Sequence, residues 1–193
     1  MGMPAQIMRR WSAQEVRELI DAAPLATPRY ELVDGELLVT PSPSFPHQRA
    51  VGQLLVALHD FLARETVGMP VSSPSDVELE TEDIRQPDVY VVPMNEGRRV
   101  LRDGNPVREL LLAIEVVSPS SGRYDRVKKR PGYQRHGTEY WVVDVDSRLV
   151  ERWRPEDERP EILSTTIGWR PPGANSSLEI DLPSFFARIL GEA

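Results

Sequence analysis

The chain has 193 residues, with 23 Lys and Arg against 30 Asp and Glu and a formal net charge of −7. At 40% apolar and 27% charged residues the composition is that of a globular domain able to bury a core without staples, and the negative balance excludes a histone-like coat for DNA, so any nucleic-acid contact needs a local basic patch. Cysteine is absent, which excludes a disulfide scaffold, a thiolate nucleophile and cysteine-ligated zinc.

The lack of cysteine fits a cytoplasmic protein. No apolar run reaches membrane-spanning length; the longest, Leu110 to Val117, is broken by Glu115. The N-terminus lacks the apolar core of a signal peptide. Residues 11–24 form a short amphipathic helix pattern, with Ser12 as N-cap, Glu15 three residues later and Pro24 as the stop. Tyr30 to Val39 reads as two strands around Asp34-Gly35, the strongest short signal for a tight hairpin. Pro41, Pro43 and Pro46 mark a stiff loop. His47 to Arg64 then carries Val51, Leu54, Leu55, Leu58, Phe61 and Leu62 at helical spacing.

Strands are predicted at Asp76–Leu79, Asp88–Val92, Leu110–Val117 and Tyr140–Val145, with a basic helix at Tyr124–His136 before the last of them. Leu149–Trp153 follows the Asp146-Ser147 turn as a further strand. Beyond Pro155 come a weak strand at Ile162–Thr166 and a last helix at Pro183–Leu190. The order predicts one mixed α/β domain over residues 1–193, with a central sheet flanked by helices.

Two acids stand out. Glu115 sits inside the apolar run Leu110–Val117, and Asp88 opens Asp88-Val-Tyr-Val-Val92 directly after Gln86-Pro87. A lone buried carboxylate is costly and demands a cation, a set of donors or a metal. Two acids on neighbouring strand ends suit a shared hard dication such as Mg²⁺ or Mn²⁺, which takes carboxylate oxygens and waters. Val117, two residues past Glu115 and on its face, occupies the place where a lysine would complete a hydrolytic site. The next basic cluster holds Arg123, Arg126, Lys128, Lys129, Arg130 and Arg135 around Asp125. Asp125, Lys129 and Tyr133 share one helical stripe, so Lys129 reaches back toward Glu115, while Pro131-Gly132 interrupts the helix. His47 opens its helix, where capping or packing is its simplest role. The three histidines are too far apart for a local zinc motif, and no glycine-rich phosphate loop is present.

The series Tyr30–Glu36, His47-Gln48, Gln86-Pro-Asp88, Ile114–Ser120, Asp125, Lys129, Tyr133 and Gly137–Asp144 resembles the Uma2 family, a group assigned to the PD-(D/E)XK nuclease superfamily. The resemblance runs from about residue 12 to about residue 155, leaving 156–193 as a C-terminal extension. It implies a restriction endonuclease-like core and a metal-dependent site hydrolysing DNA phosphodiester bonds. On that resemblance Asp88 and Glu115 are the catalytic and metal-binding acids, with the Val116 carbonyl as a further ligand and Glu36 as a third acid. Lys129 takes the place of the signature lysine. Arg123, Arg126 and Lys128 contact flanking phosphates, and His47, Gln86 and Tyr133 are accessory candidates. The expected partner is nucleic acid, with a homodimer built through the hairpin and the C-terminal tail. The competing expectation is a catalytically silent nucleic-acid- or protein-binding module on the same fold.

Overall fold

A computed structural model describes residues 9–23, 28–40, 42–117 and 125–192. Pro24, Pro41, Arg123, Tyr124 and residues 118–122 lie outside the described residues. Helix α1 (Ala13–Ala22) opens on the Ser12–Glu15 capping box, in which each residue takes the other's backbone N–H. Strands β1 (Arg29–Val33) and β2 (Glu36–Thr40) form an antiparallel hairpin. Its two turn residues, Asp34 and Gly35, both have positive φ, the conformation a two-residue turn between right-twisted strands requires. Helix α2 (Phe45–Glu65) is capped by Ser44 and buries Ala50, Leu54, Leu58, Phe61 and Leu62.

The central sheet has six strands in the order β3 (Gly68–Ser72), β4 (Val89–Pro93), β5 (Leu112–Val117), β6 (Glu139–Asp144), β7 (Leu149–Trp153) and β8 (Glu161–Leu163). Only β5 and β6 run parallel; the other pairings are antiparallel. The crossover between β5 and β6 carries a π-helical turn (Asp125–Lys129) and helix α4 (Arg130–Arg135), after α3 (Met94–Asp103). A second hairpin, β9 (Thr166–Trp169) with β10 (Leu178–Asp181), and helix α5 (Leu182–Leu190) complete the described chain. One face of the sheet packs Val89, Val91, Ile114, Val116 and Trp141 against α2, α5 and the second hairpin. The other packs Tyr90, Ala113, Val117 and Val142 against Tyr133 and Tyr140. A smaller cluster of Ala13, Val16, Leu32 and Ile84 fixes α1 and the first hairpin.

Three local expectations are corrected and one further helix is found. The strand expected at Asp76–Leu79 is reduced to isolated bridges at Val77, and β3 fills the sheet edge instead. Pro70 hides β3 in the sequence, because proline is admitted to strands mainly at edges, and an edge is where it lies. Helix α3 was not predicted; its central Gly97 lies against Met69, where a Cβ would come within 2.5 Å of the sulfur. The weak strand at Ile162–Thr166 is two strands, β8 and β9, which belong to different sheets. The basic helix begins as a π turn: Pro131 has no N–H for the carbonyl of Val127, and the chain widens before resuming α geometry.

Candidate active site

Strand β4 begins with the pair Val89–Ile114, so the next step along the ladder leads from Asp88 to Glu115. Both acids are almost fully buried. Alternation puts Glu115 on the face of Ala113 and Val117, toward Tyr133 and Tyr140. The Asp88 carboxylate has partners on both oxygens: Oδ1 accepts from Arg29 Nη1 at 2.8 Å, and Oδ2 lies 2.9 Å from the Val116 N–H and 3.0 Å from His47 Nε2. Burial opposes its ionisation, but the hydrogen bond and charge of His47, then Arg29 and the Val116 amide, outweigh it and hold Asp88 down at about 2.

Lys129 is the centre of the second cluster. Its Nζ lies 2.9 Å from Glu31 Oε2, 2.9 Å from Glu115 Oε1 and 3.3 Å from Asp125 Oδ1. All four groups are buried. Three carboxylates thus share one ammonium. The imbalance appears in their protonation: burial pushes Glu115 well above the carboxylate range, Lys129 pulls it back, and Asp125, Asp88 and Glu31 push it up further. Asp125 is raised in the same way. Lys129 is held well above the usual lysine value, because the three acids overcome the desolvation that would lower it.

A third layer braces the π turn. Arg85 is fully buried; its Nε donates to Asp83 and its Nη1 to the Lys129 carbonyl, both at 2.6 Å. The guanidinium stacks 4.8 Å from the Tyr133 ring centroid. Gly132 makes room for it, since a Cβ there would stand 2.1 Å from Arg85 Nη2. Gly132→Ala is therefore expected to cost about 1–3 kcal/mol, measured by urea unfolding, and unchanged stability would show that Arg85 has another place to go.

The structure brings Asp88, Glu115, Lys129 and His47 together. Gln86 acts through its backbone, whose N–H donates to Glu31 Oε1 at 2.8 Å, while its side-chain amide turns to Asp76. Tyr133 stacks on Tyr140 with centroids 4.9 Å apart. Glu36 stands apart from the cluster, paired with Lys128 at 2.8 Å, and the hairpin acid at Lys129 is Glu31. Arg126 is bound to Asp144 and Glu151. Arg29 and Glu31 are not singled out by the sequence; Glu31 is fully buried on β1, on the same face as Val33.

The fold is a mixed six-stranded sheet flanked by helices, with Asp88 and Glu115 at the end of the β4–β5 ladder. It is similar, with a TM-score of 0.73 and 18% identity, to the crystal structure of a "putative nuclease belonging to DUF820" from Anabaena variabilis, covering 90% of this chain and 98% of that one. The chain belongs to the Uma2 family, described as "Putative restriction endonuclease", whose profile matches residues 14–189. That span takes in the second hairpin and most of α5. No curated protein matches the sequence. No described helix is long and apolar enough to cross a membrane.

Proposed function

We propose that the chain is a metal-dependent endonuclease that hydrolyses DNA phosphodiester bonds at the Asp88–Glu115 site. The observation that carries this reading is the surplus of buried negative charge around Lys129, next to a second acid at the end of the same strand pair. The donor set fits Mg²⁺ or Mn²⁺: hard carboxylate oxygens, with a charge excess that a dication offsets. Among the described residues no group of three or more His, Cys, Asp or Glu side chains is placed to hold a metal ion, so the reading rests on a two-carboxylate site, and Mg²⁺ is commonly held by one or two carboxylates with waters and substrate phosphate. Asp88, Glu115 and the Val116 carbonyl would hold it. When bound, it supplies an acidified water and neutralises phosphate charge.

The chain's own groups do the rest. Lys129 fixes the Glu115 carboxylate at 2.9 Å and stabilises negative charge developing beside it. Its raised pKa keeps it an ammonium, which favours charge stabilisation over base duty. Asp88, ionised at any working pH, takes the Val116 amide and so ties the two strand ends together. Lys128, partly exposed in its pair with Glu36, exchanges a weak surface partner for a flanking phosphate, and Arg126, itself partly exposed but held by the more buried Asp144 and Glu151, offers its outer face to a second. A homodimer remains part of the proposal, to be read by light scattering.

Supercoiled DNA with Mg²⁺ or Mn²⁺ tests the reading. Nicking is expected, with a loss of about 100-fold or more in Asp88→Asn and Glu115→Gln. Equal cleavage by both variants would assign the activity to a contaminant. Val117, buried where a second lysine would stand, favours the silent-module alternative. DNA binding weakened by Arg126→Ala, with no cleavage under either metal, would decide for that alternative.

A further inference from the structure

Arg29 opens β1 and reaches into the site from outside the central sheet. Its Nη1 donates to Asp88 Oδ1 at 2.8 Å and to the Gln86 carbonyl at 3.3 Å. Its Nε is buried and has no hydrogen-bond partner among the described residues. On the other side of Asp88, His47 spends Nε2 on the carboxylate, and its Nδ1 is likewise buried without a partner. Two cavities meet at the guanidinium. One, of about 170 Å³, is bounded by Asp88, His47, Gln48 and Ser73. The other, of about 360 Å³, is bounded by Tyr30, Ser75, Gln86 and Asn105. Arg29 and Pro74 line both.

An arginine that serves only to neutralise a buried acid normally spends its planar fork on it, with two parallel N–H donors on two oxygens. Arg29 gives Asp88 one nitrogen and leaves Nε buried and unspent, while its side chain borders open space on two sides. Arg29 is the one donor on Asp88 Oδ1 among the described residues, so a cation taken at that oxygen stands against the guanidinium and repels it. A guanidinium displaced there sits beside the metal carboxylate with its fork free, the geometry that suits a phosphate group. We propose that Arg29 is a ligand of the substrate phosphodiester, held on Asp88 in the free chain. Divalent cation and Arg29 compete for that carboxylate, and cation binding transfers the guanidinium to the phosphate. This rests on the nuclease reading above and assigns to it a residue that positions the substrate.

The test is calorimetric titration of Mn²⁺, together with fluorescence anisotropy of a labelled duplex in Ca²⁺, on the wild-type chain, Arg29→Gln and Arg29→Lys. Arg29→Gln should bind Mn²⁺ about tenfold tighter, having lost the competitor, and the duplex about tenfold more weakly. Arg29→Lys keeps the charge but not the fork, so its Mn²⁺ affinity should stay near wild type and its duplex affinity should fall between the other two. An arginine that only neutralises Asp88 would also tighten Mn²⁺ binding when removed but would leave the duplex unchanged: unchanged or weaker Mn²⁺ binding, or unchanged duplex affinity, in folded Arg29→Gln overturns the proposal and leaves the nuclease reading standing. A wild-type chain that binds neither Mn²⁺ nor duplex overturns both. Should Arg29→Gln fail to fold, the wild-type chain still decides, because duplex must tighten Mn²⁺ binding and Mn²⁺ must tighten duplex binding by the same factor; absence of that coupling overturns the proposal.

Discussion

Lys129→Met is expected to cost about 3–5 kcal/mol of folding stability at neutral pH. Methionine fills nearly the same volume, so the loss is electrostatic: Glu31, Glu115 and Asp125 remain buried around a neutral side chain. The sign of the pH dependence follows. Without the ammonium the folded-state pKa values of Glu115 and Asp125, already raised, rise further. The folded variant then binds protons that the unfolded chain has released, and stability falls as pH rises above the unfolded carboxylate values near 4. The gap between variant and wild type should therefore narrow between pH 7 and pH 5. Urea unfolding at the two pH values measures it, and an equal gap at both would place the cost in packing.

The second large effect separates catalysis from stability. Glu115→Gln should abolish cleavage while leaving the fold as stable as wild type at pH 7, or more so. Glu115 has a folded pKa above its unfolded value, so its contribution to stability is complete below about pH 4 and declines as pH rises toward the folded value. Glutamine removes that decline. Asp88 behaves oppositely. Its folded value of about 2 lies below the ordinary 3.8, so its contribution is present above the unfolded value and is lost as pH falls toward 2. Asp88→Asn should therefore cost about 2 kcal/mol at pH 7. Thermal melts of the two variants side by side should diverge in opposite directions, and parallel destabilisation would show that Glu115 is held chiefly by its ion pair with Lys129.

What the sequence disclosed and what it concealed divide along physical lines. Glu115 was visible because an acid inside an apolar strand has no inexpensive explanation, and Lys129 because a helical stripe pointed it back at that strand. The central sheet was visible where strands were continuous apolar runs. Glu31 and Arg29 were hidden because a two-stranded hairpin reads as a half-exposed surface element, and nothing local reveals that its inner face closes a site. Glu36 drew attention by following the turn, yet alternation turns it to Lys128 at the surface. Strand β3 was concealed by its proline and α3 by its charge. The widened turn that seats Asp125 and Lys129 is not a pattern of apolar spacing at all; its sign is Pro131, which announces only that ordinary helix geometry must fail nearby.

Strand β1 has a mechanical consequence. Arg29 and Glu31 are two residues apart and so share a face of one short ribbon; the first grips Asp88 and the second grips Lys129. The ribbon is tied to the 84 segment by a reciprocal pair of backbone hydrogen bonds between Leu32 and Ile84, at 2.8 and 2.9 Å. Any displacement of the ribbon shifts both grips at once, like a yoke across two reins. Substitutions at Leu32 or Ile84, which touch neither acid, will retune both halves of the centre together.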